Sequence, residues 1–184
     1  LIMTVYHHRE RWYAEHRAED VALICAILRE HRPPIIVELG TYLGGLAAAF
    51  ADTAREGGGQ VHTFDIARQF PSDLLEAFPN LSFHEESVLV ENPLAIDLVS
   101  TPGAFLYCDN GEKERELACY APHLAAGNII GCHDWQTQVR PEFADPLLES
   151  LGYVPYRRPE FEAMANPVSY PISMTRLWRR ERAA

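Results

Sequence analysis

Residues 35–45 are Ile-Ile-Val-Glu-Leu-Gly-Thr-Tyr-Leu-Gly-Gly. The first five form a short apolar run rich in β-branched residues, which predicts a buried strand. The glycines at 40, 44 and 45 predict a tight turn whose backbone can approach a ligand closely. Residues 46–55 then predict a helix, and the amides exposed at its start can bind an anionic group. The alternative is a tight strand-to-helix turn that binds nothing.

The remaining chain continues to alternate strand and helix patterns. Further strands are predicted at Val61–Asp65, Leu81–His84, Ala104–Cys108, Asn128–Cys132, Gly152–Tyr156 and Ser173–Arg179. Helices are predicted at residues 9–31, at Ser72–Phe78 with Ser72 as N-cap, at Glu112–Leu124 and at residues 141–150. This alternation predicts an α/β fold with a mostly parallel sheet and helices on both faces. The stretch Arg157–Pro171 is predicted to be a loop.

Length and charge restrict the class of protein. The 184 residues predict one domain, 1–184, with an accessory helix in 1–32 and a core in 33–184. The net charge of −10 argues against nucleic acid or an anionic membrane as the main partner. No apolar run approaches the roughly 20 residues of a membrane helix. The four cysteines form no CxxC pair, so we expect buried free thiols in a reducing cytoplasmic compartment.

Acidic and polar residues follow the first three core strands. Glu38 precedes the glycine turn, where its carboxylate would repel phosphate but could hold an ammonium group. The dinucleotide-binding fingerprint GxGxxG is absent. Asp65 ends the next strand, where a carboxylate can accept hydrogen bonds from ribose hydroxyls or can cap a helix. Glu86 and Ser87 follow the third strand and could reach an adenine edge.

These segments together resemble a known family. Residues 37–45 (VELGTYLGG), 62–66 (HTFDI) and the polar pair after strand three look like the cofactor half of a class I S-adenosylmethionine-dependent methyltransferase. Residues 108–113 (CDNGEK) with Glu116, residues 124–130 (LAAGNII) and residues 133–135 (HDW) are similar to the pattern of bacterial cephalosporin hydroxylase and rhamnosyl O-methyltransferase relatives. The similarity covers about residues 33–136, in order along the chain.

The resemblance implies a doubly wound, Rossmann-like sheet of seven strands, the last antiparallel, that binds S-adenosylmethionine. It assigns Glu38, Gly40, Thr41 and Gly44 to the cofactor turn, Asp65 to the ribose, Glu86 and Ser87 to the adenine, and Asp109 to the methyl sulfonium. Some relatives bind a divalent metal through an Asp after strand four and an acidic pair after strand five. The corresponding residues are Asp109, His133 and Asp134, and the histidine argues against magnesium and suits a softer metal. The alternative is that His133 and Asp134 form a hydrogen-bonded pair without a metal.

The implied reaction is methyl transfer to a hydroxyl of a small molecule or a sugar. Such a hydroxyl needs a base, for which His133 and Asp109 are the best candidates. Asp134 could orient His133, and Lys113 could pair with Asp109 or Glu116 or touch the substrate. Lys113 is the only lysine in the chain. A solvated helix lysine and a surface Glu116 are the alternatives.

The number of subunits stays open, and a homo-oligomer is one option. Two other classes of function also stay open. One is a methyltransferase-fold binding or assembly protein without catalysis. The other is a nucleotide-dependent oxidoreductase, against which the missing GxGxxG weighs. His7, His8 and His16 are expected to be solvated.

Overall fold

The computed structural model describes residues 5–156 and 175–181. The strands are β1 (Val5–His8), β2 (Trp12–Arg17), β3 (Ile35–Leu39), β4 (Gln60–Asp65), β5 (Leu81–Glu85), β6 (Phe105–Cys108), β7 (Ile129–Cys132), β8 (Tyr153–Pro155) and β9 (Arg176–Arg180). The α-helices are α1 (Ala18–His31), α2 (Gly45–Arg55), α3 (Asp73–Ala77), α4 (Pro93–Val99), α5 (Lys113–Tyr120) and α6 (Pro141–Ser150). The predicted loop Arg157–Pro171 and the predicted strand start at Ser173 lie outside the described residues.

Seven strands form one sheet in the order β5-β4-β3-β6-β7-β9-β8. Strands β3 to β7 pair in parallel, and β9 runs antiparallel to both β7 and β8. The predicted α/β fold with an antiparallel last strand is therefore confirmed. The strand order reverses between β3 and β6, and in such sheets a crevice for ligands opens there, at the carboxyl ends of the strands.

The N-terminal segment differs from its predicted helix. Strands β1 and β2 form an antiparallel hairpin, and its turn places Arg9 and Glu10 at positive φ. Burial alternates along β2, with Trp12, Ala14 and His16 facing inward. The period of the buried positions therefore changes from two residues along β2 to 3.6 residues at Ala18, where α1 begins. The element that covers the cavity is this hairpin and not the predicted accessory helix.

Two helix ends show how local chemistry sets the elements. Helix α4, which the sequence analysis did not predict, starts at Pro93, and the side chain of Asn92 accepts a hydrogen bond from the amide of Ala95. Ser72 occupies the N-cap position of α3 as predicted, but its side chain makes no capping hydrogen bond.

Apolar side chains fill both faces of the sheet. Helices α1 and α2 pack on one face, where the ring of Phe50 meets Tyr107 edge-on. Helices α4, α5 and α6 cover the other face, together with Trp178. All four cysteines are free, and three are buried as expected while Cys119 is half-buried. No helix among the described residues is long and apolar enough to cross a membrane.

Candidate functional site

A cavity of about 580 Å³ opens at the carboxyl ends of β3, β4, β6 and β7. Its volume lies in the usual range for small-molecule sites, roughly 300–1,000 Å³. The sequence-predicted residues that line it are Glu38, Gly40, Thr41, Asp65, Asp109, Lys113, His133 and Asp134. The hairpin also lines it with the consecutive residues 13–16. The switch point of the sheet therefore gathers most of the predicted site.

The glycine turn brings two backbone segments into contact at the cavity wall. Gly40 has a φ of 101°, which favours glycine. A Cβ at this position would lie 2.7 Å from the amide nitrogen of Asn110 and 2.8 Å from the carbonyl of Asp109. The close contact between the glycine turn and the loop after β6 therefore depends on the absence of a side chain at Gly40.

Gly44 has a different surrounding. A Cβ there would meet the side chains of Leu74 and Phe70, and Gly44 is not among the residues that line the cavity. Its φ of 80° suits the left-handed residue that precedes α2. The structure thus places Gly44 behind the turn, and Gly45 lines the cavity instead.

A hydrogen-bonded chain fixes the carboxyl group of Glu38. The Thr63 hydroxyl donates to Glu38 Oε2 at 2.5 Å, and it lies 2.6 Å from the Thr41 hydroxyl. Glu38 is buried, and its Oε1 has no hydrogen-bond partner in the described part of the chain. Burial raises the pKa of Glu38 well above its usual range. An ammonium group in the cavity could donate a hydrogen bond to this oxygen.

Asp65 ends β4 at the rim of the cavity. Its Oδ2 accepts a hydrogen bond of 2.9 Å from the amide of Tyr42. Tyr42 itself is in the left-handed region, with a φ of 47°, and is exposed. The glycine turn therefore orients the carboxylate that the sequence assigns to a ribose.

Glu86 and Ser87 are not brought to the cavity. Both are exposed, and Glu86 Oε2 accepts a hydrogen bond of 2.5 Å from the side chain of Asn92. The nearby positions that do line the cavity are Ile66 and Gln69, which the sequence analysis missed. Ile66 is the residue directly after Asp65, and this position in the sequence is the signal that could have identified it. Its side chain is exposed.

Charged side chains meet at the opposite end of the cavity. Asp109 follows β6, and its two oxygens lie 3.4 Å from His16 Nε2 and 3.4 Å from His133 Nδ1. Asp134 Oδ1 lies 3.4 Å from the same His133 nitrogen. Lys113 Nζ lies 3.0 Å from Asp134 Oδ2 and 3.8 Å from Asp109 Oδ1. We call these five residues the polar cluster.

His16 was expected on the surface, and that expectation is wrong. Its side chain is 2% exposed, and its ring stacks on that of His133 with centroids 4.0 Å apart. The alternation of Trp12, Ala14 and His16 along β2 was the signal that places it inside.

The charges of the polar cluster follow from burial and from its carboxylates. Burial lowers the pKa of His16 to about 4, whereas the carboxylates of Asp109 and Asp134 overcome burial and raise the pKa of His133 to about 9. The same carboxylates raise the pKa of Lys113 against the effect of burial. The pKa values of both aspartates are lowered, although burial opposes this, because cationic groups surround them.

No family model and no curated protein matches the sequence. Solved structures do match. CmcI with S-adenosylhomocysteine is 19% identical, over 96% of this chain and 83% of that one, with a TM-score of 0.67. The fold is that of class I S-adenosylmethionine-dependent methyltransferases. The O-methyltransferase TomG from Streptomyces achromogenes, in complex with S-adenosylmethionine, is 13% identical over 90% and 81% of the two chains, with a TM-score of 0.55. A Thermotoga maritima O-methyltransferase is 12% identical over 91% and 66%, with a TM-score of 0.61.

The methyltransferase fold accounts for the shared position of the sequence-predicted residues. Four neighbouring parallel strands carry Glu38, Asp65, Asp109 and His133 at or just after their carboxyl ends, which meet at one edge of the sheet. His16 comes from the hairpin, outside this sheet. The hairpin is therefore the part of the site that the sheet topology does not specify.

Proposed function

We propose that this chain is an S-adenosylmethionine-dependent methyltransferase that acts on a hydroxyl of a small molecule or a sugar. The observation that carries the proposal is the division of one cavity into two chemically different ends. One end has Glu38, the Gly40 turn and Asp65, and the other has the polar cluster. The first end suits a nucleoside that carries an amino acid, and the second suits a hydroxyl that must lose a proton.

The cofactor end has groups that match the ribose and the methionine of S-adenosylmethionine. The Asp65 carboxylate accepts hydrogen bonds from the ribose hydroxyls. Glu38 Oε1, which is buried without a partner among the described residues, accepts a hydrogen bond from the methionine ammonium group. Because Gly40 has no side chain, its backbone lies against that of Asp109 and Asn110 at the wall of the cofactor end. Together these contacts direct the sulfonium methyl group towards the polar cluster.

The polar cluster receives the acceptor. Methyl transfer is an in-line displacement on an electrophile that is already reactive, so the protein has to align the hydroxyl and take up its proton. His16 and Asp109 face the cavity together with His133, and they can accept the proton at neutral pH, since the raised pKa of His133 keeps that ring protonated. Lys113 donates hydrogen bonds to the carbonyl of Asn110 and to Gln138. Lys113 thereby fixes the wall of the acceptor end.

Magnesium does not fit these residues. CmcI has been crystallised with magnesium and S-adenosylmethionine. Magnesium takes oxygen ligands in near-octahedral geometry. In this chain His133 stands after β7, and the ammonium group of Lys113 lies 3.0 Å from the Asp134 carboxylate. We therefore assign no step of the reaction to magnesium.

Isothermal titration calorimetry with S-adenosylmethionine and S-adenosylhomocysteine tests the cofactor end. We expect one site per chain, and an absence of binding at millimolar ligand contradicts the proposal. Saturable binding of NAD without binding of S-adenosylmethionine would favour an oxidoreductase instead.

Transfer of a labelled methyl group to a panel of hydroxylated small molecules and sugars tests the acceptor end. With the best acceptor, we expect Asp109→Ala and His133→Ala to abolish transfer while S-adenosylhomocysteine still binds. A binding or assembly protein is indicated if no acceptor is methylated although the cofactor binds.

A further inference from the structure

Three elements that are distant in sequence bring potential metal ligands together. His16 comes from β2, Asp109 from the loop after β6 and His133 from the loop after β7. One donor atom from each residue lies within 4.8 Å of the other two. The three side chains also line the same cavity. A ligand in that cavity can therefore reach all three.

We propose that His16, Asp109 and His133 form a binding site for a divalent first-row transition metal ion. Two imidazoles and one carboxylate form a ligand set that suits zinc, cobalt, iron or manganese better than magnesium. His16 is the ligand that distinguishes this site from the metal residues expected from the sequence, which were Asp109, His133 and Asp134.

The distances between the donor atoms fit a coordination shell better than a hydrogen-bonded pair. Both Asp109–histidine separations are 3.4 Å. A charge-assisted hydrogen bond has a length of about 2.7–2.9 Å. Ligands at about 2.0–2.1 Å from a tetrahedral metal are separated by roughly 3.3–3.4 Å. The two oxygens of the Asp109 carboxylate therefore lie at coordination distance, one from His16 Nε2 and the other from His133 Nδ1.

Unpartnered nitrogens are the second observation. His16 Nδ1 and Nε2 and His133 Nε2 make no hydrogen bond to the described part of the chain, although all three atoms are buried. Buried polar atoms without partners destabilise a folded protein. His16 Nε2 is the unpartnered nitrogen that lies 3.4 Å from Asp109. A metal ion would supply its missing interaction, because a neutral imidazole nitrogen binds a metal through the lone pair.

Lys113 separates Asp134 from the proposed site. Its ammonium group lies 3.0 Å from Asp134 Oδ2 but 3.8 Å from Asp109 Oδ1. Lys113 would therefore keep Asp134 out of the coordination shell. A dication between His16, Asp109 and His133 would take the place of the proton on His133.

Metal binding does not depend on the proposed function, but its role would. At the acceptor end of the cavity a dication lowers the pKa of a hydroxyl that approaches it. With the metal bound, His16, Asp109 and His133 would act as its ligands instead of as the proton acceptor, and the dication would promote loss of the acceptor proton in the methyl transfer proposed above.

The test uses the full chain after treatment with a chelator and dialysis. Titration with Zn²⁺, Co²⁺, Mn²⁺ and Mg²⁺ is followed by calorimetry, and Co²⁺ is also followed by its visible absorption. We expect one transition metal ion per chain, bound at least about 100-fold more tightly than Mg²⁺. No binding of any transition metal, or a preference for Mg²⁺, would overturn the proposal.

Variants assign the site. His16→Ala and His133→Ala should each weaken Co²⁺ binding by about 100-fold or more, since loss of even the groups that orient ligands costs 10–100-fold. His62 and His84, with ring nitrogens 3.0 Å apart, offer another imidazole pair, so His84→Ala is the matched control and should bind Co²⁺ normally. Equal binding by His16→Ala and the parent chain would overturn the proposal. Circular dichroism and calorimetry with S-adenosylhomocysteine show that each variant is folded and separate a failed metal site from a failed cofactor site.

Discussion

The imidazole rings of His16 and His133 stack with centroids 4.0 Å apart and planes inclined by 28°. His133 follows a central strand of the sheet, whereas His16 belongs to the N-terminal hairpin. The contact shows that the hairpin contributes a side chain to the polar cluster and does not merely cover the cavity.

Replacement of His16 by phenylalanine tests that contribution. His16→Phe keeps an aromatic ring next to His133 but removes both nitrogens. We expect the rate of methyl transfer to fall by about 100-fold, a usual effect of losing a group that handles a proton. The initial rate with labelled S-adenosylmethionine measures the effect, and the affinity for S-adenosylhomocysteine should stay unchanged. His123→Phe is the control, because His123 lies in the turn after α5 and does not line the cavity. An unchanged rate in His16→Phe would remove His16 from the reaction.

The sheet and most of the site could be predicted because they depend on short sequence patterns. The apolar run before Gly40 specifies a buried strand, and parallel strands place their carboxyl ends at one edge. Glu38 and Asp65 follow from that rule, and the resemblance to methyltransferases added Asp109. The same rule does not predict the path of the loop that follows a strand. The prediction that Glu86 reaches the cofactor site therefore failed, and the structure pairs Glu86 with Asn92 instead.

The role of the hairpin could not be predicted in the same way. Trp12, Ala14 and His16 give only three inward positions, and the strong helical pattern of α1 begins immediately after them. The burial of Lys113 and Glu116 was equally hidden, because charged residues near a helix start usually face solvent. Contacts between distant segments decided all of these positions.

Asp65→Ala tests the ribose contact. Loss of two hydrogen bonds to a charged group, at about 1.5–3 kcal/mol each, should weaken S-adenosylhomocysteine binding by at least about tenfold. Calorimetry measures the affinity. Asp97→Ala is the control, because Asp97 is exposed on α4, and it should bind like the parent chain. Equal affinities for Asp65→Ala and the control would exclude Asp65 from the cofactor site.

Gly40→Ala tests the close contact of the two backbones at the cavity wall. The added Cβ would meet the backbone of Asp109 and Asn110 and would force a left-handed alanine. We expect a loss of about 2–4 kcal/mol in the free energy of unfolding, from backbone strain and overpacking. Chemical denaturation measures it. At Gly57 a Cβ would meet its nearest atom, in the Arg32 side chain, at an ordinary 3.5 Å, so Gly57→Ala should change the stability little. If both variants are equally stable, the contact at Gly40 does not constrain the turn.

Glu116 should make the stability of the protein depend on pH. The residue is buried on α5, and burial raises its pKa to about 8, although the charge of Lys113 acts against this. A carboxyl that binds its proton more tightly in the folded state contributes stability below its ordinary pKa. That contribution is lost as the pH rises towards 8, with a slope approaching about 1.4 kcal/mol per pH unit.

Glu116→Gln should therefore reduce the fall in the free energy of unfolding between pH 5 and 8, as measured by chemical denaturation at each pH. A part of the fall should remain, because burial also raises the pKa of Glu38. Comparison of the variant with the parent chain isolates Glu116. Glu149→Gln, at an exposed position of α6, should show the parent slope. The same slope in all three proteins would mean that Glu116 is ionised in the folded chain at neutral pH.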